Sequence, residues 1–448
     1  MRYMYINLSR RYNLVMNPRN KLAVYGGNPV ITSPMKNYSS IDDSDLDAVT
    51  RVIKSRNLSQ FIGDAGEYFL GGTEVRDFEE KFSKKFLVKH SISTNSWTSG
   101  LWASIGALEL EPGSEVITSS WTMAATATTI LHWNLVPVFA DICERTFNLD
   151  AISVERQITS RTRAIVSPDI FGQSADIESL LELCKKYNLY LVSDSAQAPL
   201  AKRHSYYAGT ASHIGGYSFN YHKHIHTGEG GMLVTNDDHL ADRLQLLRNH
   251  GEVALSRRPT PEWQYGILGM NIRLGELEAA IGKNQLDKLN SAVASRSAGA
   301  KLLTEGIKGL KGLSTPFIDE GNDHVFYLYG LRINFSQIGI ERDSLILALK
   351  AEGVPALMSG YQNLHNLPLF RHQLTYKKNS LPYSLISKKR ARELRKQYLP
   401  ISEELHNRNF VGINWCSKEF AKQDVLLIIE AFRKVWNNLD SLRNKETL

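Results

Sequence analysis

The densest set of chemically capable side chains is the run Gly215-Gly-Tyr-Ser-Phe-Asn-Tyr-His-Lys-His-Ile-His-Thr-Gly-Glu-Gly-Gly231. Lys223 sits there among His222, His224 and His226. Alternating histidines suggest a metal cluster, since imidazole is a common ligand. No carboxylate follows at a helical i+4 offset, however, which argues against metal. The other reading is a polar loop around a reactive lysine. Desolvation or cationic neighbours lower a lysine's pKa and make it a nucleophile that forms a Schiff base with a carbonyl. The glycines of Gly228-Glu-Gly-Gly231 allow a tight return into a following strand.

Two further segments could serve the same chemistry. In Leu191-Val-Ser-Asp-Ser-Ala-Gln-Ala198 an apolar strand ends at Asp194, with Gln197 three residues on. A carboxylate there can hold a pyridinium nitrogen by a charge-assisted hydrogen bond, or simply cap a turn. Ser93-Thr-Asn-Ser-Trp-Thr-Ser-Gly100 brings hydroxyls to a helix start, where free N–H groups attract phosphate; an ordinary N-cap is the plainer alternative. Together, a phosphate cradle, a carboxylate at a strand end and a lysine before a glycine turn are the parts that pyridoxal 5'-phosphate (PLP) requires of a protein.

The elements that must position these groups follow from hydrophobic periodicity. Strands are expected at Glu115–Thr118, Val136–Phe139, Ala164–Ser167, Leu189–Ser193, Gly216–Phe219 and Met232–Thr235. Helices are expected at Ser99–Leu110, Ile177–Tyr187 and His239–Arg248, with Asp176 as N-cap of the second. Strand–helix alternation predicts an α/β fold, a mostly parallel sheet covered by helices on both faces. Ligands bind beyond the carboxyl ends of such strands. Leu274 to Ala300 reads as one long helix bridging two lobes, and Val325–Ile333, Val354–Ser359 and Val425–Val435 as strands and a closing helix of a smaller lobe. Lys377 to Lys396 reads as a basic surface loop running into a helix. The expected organisation is an N-terminal extension and arm over 1–40, a large domain over 41–295 and a smaller α+β domain over 296–448.

Bulk properties narrow the function classes. Of the 448 residues, 42% are apolar and 22% charged, as in ordinary globular enzymes. The net charge of +7 suits an anionic small ligand. No zinc-finger spacing or Lys/Arg array points to nucleic acid. Cys143, Cys184 and Cys416 are sparse and odd in number. That argues against a disulfide framework and points to a cytoplasmic setting. No run of about 20 apolar residues predicts a membrane span. Met1 to Asn20 carries Arg2, Arg10, Arg11 and Arg19 without an apolar core, so it does not read as a signal peptide; it is either a prefix outside the fold or the result of a start that belongs at Met16.

From Leu22 onward, and most strongly between Gly71 and Leu289, the sequence resembles the DegT/StrS-type sugar aminotransferases. These are PLP-dependent enzymes of the aspartate-aminotransferase fold, fold type I. Ser218-Phe-Asn-Tyr-His-Lys-His-Ile-His-Thr-Gly-Glu-Gly-Gly231 is similar to that family's Ser-Phe-x-x-x-Lys-x-x-x-x-Gly-Glu-Gly-Gly signature. The resemblance implies that Lys223 carries the cofactor, that Ser218 contacts its phosphate, that Asp194 partners its pyridinium and that Gln197 contacts its ring hydroxyl. Gly269-Met-Asn-Ile-Arg-Leu-Gly-Glu-Leu-Glu-Ala-Ala-Ile-Gly282 resembles the family's Asn-Tyr-Arg-Met helix entry. It implies that Asn271 reaches the cofactor phosphate of a neighbouring subunit, and so a homodimer with shared sites. Two departures stand out. Trp97 takes the place of a glycine in the phosphate turn, where Ser96 and Thr98 carry over. Met123 takes the place of the aromatic residue that stacks on the ring, a role that could pass to Trp121. Tyr327, Tyr329, Tyr361 and His365 fall where similar proteins bring residues to the sugar, and Leu399-Pro-Ile-Ser-Glu403 resembles a further family element without an assigned role.

The implied activity is transfer of an amino group from glutamate or glutamine to a keto sugar linked to a nucleotide, with no metal in the site. Two alternatives remain open at this point: a keto-cyclitol of the scyllo-inosose type as acceptor, and a PLP-binding regulatory or assembly protein without turnover.

Overall fold

The computed structural model describes residues 21–63, 66–251, 267–376 and 380–443. The arginine-bearing stretch Met1–Asn20 and Lys377 lie outside the described residues. A seven-stranded sheet is built from His90–Thr94 (β1), Glu115–Ser119 (β2), Val136–Ala140 (β3), Thr162–Pro168 (β4), Tyr190–Asp194 (β5), Ile214–Ser218 (β6) and Gly231–Thr235 (β7). Its spatial order is β1-β7-β6-β5-β4-β2-β3. Six strands run one way, and β7 runs against its neighbours β1 and β6. The carboxyl ends of those six strands therefore share one edge. β1 was not expected from periodicity, because His-Ser-Ile-Ser-Thr offers one large apolar residue. Pairing with β7 on one side, rather than local hydrophobicity, fixes it.

Helices cover both faces because strands buried on both sides need two apolar covers. Asp43–Ser55 (α1) and Thr73–Phe86 (α2) precede the sheet. Trp97–Ala107 (α3), Ala124–His132 (α4), Ala151–Gln157 (α5), Ile177–Tyr187 (α6) and Asp238–Arg248 (α7) connect or follow its strands. α3 and α7 bury Leu101, Ile105, Leu244 and Leu247 against Ile92, Val166, Val192 and Leu233. α6 buries Leu180 and Leu183 on the other face against Ile165 and Leu191. Asp176 does not cap α6 through its side chain. Its carboxylate is drawn instead to Arg203, at 2.7 Å, and to the Ser179 hydroxyl.

Glu276–Ile307 (α8) runs from the large sheet to the smaller lobe. Its first half packs on Phe78, Phe82 and Phe86 of α2. Its far end joins Tyr329, Leu331 and Val411 in a separate core with Lys422–Trp436 (α9). That core lies on a four-stranded sheet of Leu313–Ser314 (β8), Tyr329–Ile333 (β9), Leu357–Ser359 (β10) and Phe410–Ile413 (β11), ordered β8-β9-β11-β10. Among the described residues, no helix is long and apolar enough to cross a membrane.

Asp141, just past β3, ties the large sheet to the C-terminal part of the chain. Its carboxylate accepts from Ile401 N at 2.9 Å, Ser402 N at 2.9 Å and Ser402 Oγ at 2.5 Å, at the start of the short helix Pro400–Glu404. Those donors are buried or half-buried and lose their partner if the carboxylate is removed. Asp141→Ala is expected to cost about 1–3 kcal/mol, read by calorimetry as a lowered Tm. An unchanged Tm would contradict this role.

Candidate active site

A cleft opens at the carboxyl edge of the large sheet. Each wall is a strand end. After β1 come Ser96, Trp97 and Thr98; after β2, Thr122 and Met123. After β4 comes Asp169, and after β5 come Ala196 and Gln197 beyond Asp194. The β6–β7 turn gives Ser218, Asn220, His222, Lys223 and Glu229. That turn closes with Gly228 at φ +87°, a left-handed conformation open to glycine.

Lys223 is 5% exposed, and its Nζ lies 4.5 Å from the centre of the Tyr327 ring. Burial pulls its pKa down to about 8, with the charge of Asp194 acting the other way. The flanking histidines do different work. His224 is fully buried, with Nε2 2.8 Å from Val325 O, and its own carbonyl accepts from Tyr38 Oη at 2.9 Å. His226 Nδ1 accepts from Gly228 N at 3.3 Å. His222 faces the cleft, and burial followed by the charge of Lys223 holds its pKa down to about 4. Among the described residues no three His, Cys, Asp or Glu side chains are grouped to hold a metal.

Asp194 is a buried carboxylate with donors on both oxygens. Trp97 Nε1 donates to Oδ1 at 2.6 Å and Thr126 Oγ1 to Oδ2 at 2.7 Å. Gln197 Oε1 accepts from Phe171 N at 2.8 Å, while its Nε2 donates to Tyr361 Oη at 3.3 Å. Burial pushes the Tyr361 phenol up to about 12. Ser96 Oγ caps α3 by accepting from Ser99 N at 3.1 Å, while Thr98 is exposed in the cleft. Ser218 Oγ accepts from Asn220 N at 3.3 Å.

Several residues read from sequence stand elsewhere. Trp121 does not face the cleft. It is fully buried, stacks on Phe147 and donates through Nε1 to Asn363 Oδ1 at 2.8 Å. Met123, 54% exposed, lines the cleft instead. His365 is 3% exposed and points at Glu403, 3.0 Å away, so it is a packing residue outside the cleft. Tyr329 Oη pairs with Thr304 Oγ1 at 2.7 Å in the small-lobe core. Asn271 is exposed, outside the cleft of its own chain, with its backbone bridged to Asn249. Asp169 was missed. It follows the last residue of β4, beside Asp194, accepts from Ser195 Oγ at 2.5 Å and Ala175 N at 2.7 Å, and burial pushes it up to about 7. The register of parallel strands, Pro168 opposite Asp194, was the signal that could have found it.

The family model of the DegT/DnrJ/EryC1/StrS aminotransferases matches residues 54–407. The spore coat polysaccharide biosynthesis protein SpsC of Bacillus subtilis is 32% identical, over 79% of this chain and 90% of its own. A Micromonospora echinospora protein assigned as an L-glutamine:3-amino-2,3-dideoxy-scyllo-inosose aminotransferase is 31% identical, over 94% of this chain and 99% of its own. The crystal structure of DesI in the presence of its TDP-sugar product superposes with a TM-score of 0.75 and 25% identity, over 95% of this chain and 98% of that one.

Lys223 should react as an amine well below the range of surface lysines. Reductive methylation of the ligand-free protein, followed site by site by mass spectrometry, is expected to rise at Lys223 through pH about 8. A midpoint with the exposed lysines, near the ordinary 10.5, would contradict the buried setting.

Proposed function

The chain belongs to the DegT/DnrJ/EryC1/StrS aminotransferase family, and we propose that it passes an amino group from glutamate or glutamine to a nucleotide-linked keto sugar. The product would be an amino sugar for polysaccharide or antibiotic synthesis. One observation carries the reading: the buried amine of Lys223 and the buried carboxylate of Asp194 share one cleft at the carboxyl edge of the sheet.

The residues present fit PLP. Trp97, despite its bulk, is 5% exposed and turned into the floor, so the cleft stays open. Lys223 would hold the cofactor through Nζ, and Asp194 would face its pyridine nitrogen. Gln197 retains one Nε2 hydrogen for the ring hydroxyl. Ser218, Thr98 and the N-terminus of α3 would receive the phosphate. Met123 would cover the ring with its polarizable sulfur. When bound, the cofactor supplies an electron sink for the carbanion left when a proton leaves the donor's α-carbon.

Lys223 performs the proton transfers. Freed when the donor's amine takes its place on the cofactor, Nζ, with a pKa of about 8, exchanges protons readily near neutral pH, and it takes a proton and returns it at a neighbouring carbon. Tyr327 covers that amine and keeps water from it. Tyr361, which accepts from Gln197 Nε2 at 3.3 Å, would be the hydroxyl offered to the acceptor. A keto-cyclitol is the second reading, supported by the Micromonospora relative matched over 99% of its length.

The enzyme is proposed to act as a homodimer. Asn271 is exposed beside Leu268 (79% exposed) and Met270 (45%), an apolar rim that a second copy would cover. Asn271 would then reach the phosphate in the partner's cleft. A cytoplasmic location suits the three free cysteines.

With PLP and glutamate or glutamine, the purified protein is expected to aminate a nucleotide-linked keto sugar faster than a keto-inositol. Lys223→Ala is expected to lose activity by at least about 10³-fold. Retention of activity by that variant would overturn the assignment, and a preference for the keto-inositol would select the second reading. If sites are shared, mixing inactive Lys223→Ala and Asn271→Ala proteins yields hybrids with one intact site in two, so about half of wild-type activity per hybrid. Mixtures that stay inactive after subunit exchange would contradict sharing.

A further inference from the structure

We propose that Trp97 is a positioning residue for the cofactor: its indole N–H fixes the Asp194 carboxylate from below so that a free oxygen lone pair faces the ring nitrogen. The inference rests on the reading that the cleft binds PLP. It concerns a residue whose role is distinct from that of the backbone turn it belongs to.

The contact is short, buried and specific. Trp97 Nε1 lies 2.6 Å from Asp194 Oδ1, with both residues under a tenth exposed. An indole N–H is a donor only, so it can serve an acceptor and nothing else. Thr126 Oγ1 holds Oδ2 at 2.7 Å, and Ala196 N approaches Oδ1 at 3.4 Å. A carboxylate offers about four lone-pair sites. Three donors therefore leave about one site free, on Oδ2. The carboxylate cannot rotate about its Cβ–Cγ bond without breaking two buried hydrogen bonds.

The surrounding sequence makes room for this indole. A Cβ at Gly216, on β6 next to Asp194, would lie 2.0 Å from Trp97 Cζ3. One at Gly100, a turn along α3, would lie 2.6 Å from Cε3. The ring thus fills a slot between α3 and the sheet that only glycine at both positions leaves open. Thr126 is held in turn by Thr122, with Oγ1 to Oγ1 at 2.9 Å. Helices α3 and α4 each send one donor to the same carboxylate.

The test is binding to the cofactor-free protein, separate from turnover. Affinity is measured by fluorescence titration for PLP and for its 1-deaza analogue, in which CH replaces the ring nitrogen. Trp97→Phe, which keeps an aromatic ring but deletes the donor, is expected to weaken PLP by about tenfold, the order of one hydrogen bond to a charged group. The deaza analogue is expected to bind as before. A purely structural tryptophan would weaken both ligands equally, and that result, or no change in either, would overturn the proposal. A wild-type protein that binds neither ligand would sink the cofactor reading itself. A second measurement does not depend on the Trp97 variant folding. In protein that keeps Trp97 and carries ¹⁵N-indole tryptophan, Asp194→Asn is expected to shift one indole N–H resonance upfield relative to wild type; if none moves, the contact does not exist.

Discussion

A buried carboxylate must have its oxygens satisfied before it can be a dependable partner for anything else, and the site is built around meeting that condition at Asp194. Removing a charge from water costs several kcal/mol unless hydrogen bonds replace the lost solvation. Trp97 and Thr126 do so from two helices that begin at the carboxyl edge of the sheet. The parallel register then sets the rest. Because β4, β5 and β6 run together, Asp169, Asp194 and Ser218 emerge side by side, and the β6–β7 turn folds Lys223 over the same cleft.

The lysine loop is held from outside the large sheet. His224 is fixed by Val325 O of the approach to the small lobe and by Tyr38 of the N-terminal arm. Tyr327, from the same approach, covers Nζ. Lys223 is therefore dry, and its lowered pKa follows from packing contributed by two other parts of the chain. This dependence explains why neither the amine's burial nor its pKa could be read from Gly215–Gly231 alone.

Much of the architecture was legible because strand and helix leave strong periodic marks. Six of the seven large-sheet strands lie at or within a few residues of their expected ranges, and Ile177–Tyr187 coincides with its helix. What escaped depends on distance in sequence. β1 is a strand because β7 pairs with it. Asp176 has the right type and spacing for a cap, but Arg203, 27 residues on, takes its carboxylate. Trp121 and His365 have side chains suited to ring stacking and sugar binding, yet Asn363 and Glu403 draw them into packing. Trp97 showed as a departure in the sequence; that its indole turns down to Asp194 depends on the space at Gly216, over a hundred residues away. The Leu399–Glu403 run, without a role in sequence, proves to be the helix start that Asp141 holds.

The central claim is that Lys223, and no other amine, bonds to the cofactor. Borohydride reduction of the PLP-loaded protein, followed by digestion and peptide mass mapping, tests it most directly. The account predicts a pyridoxyl group on the peptide containing Lys223 and none on that peptide without added PLP. A label confined to another lysine, or no label on a protein that takes up PLP, would contradict it.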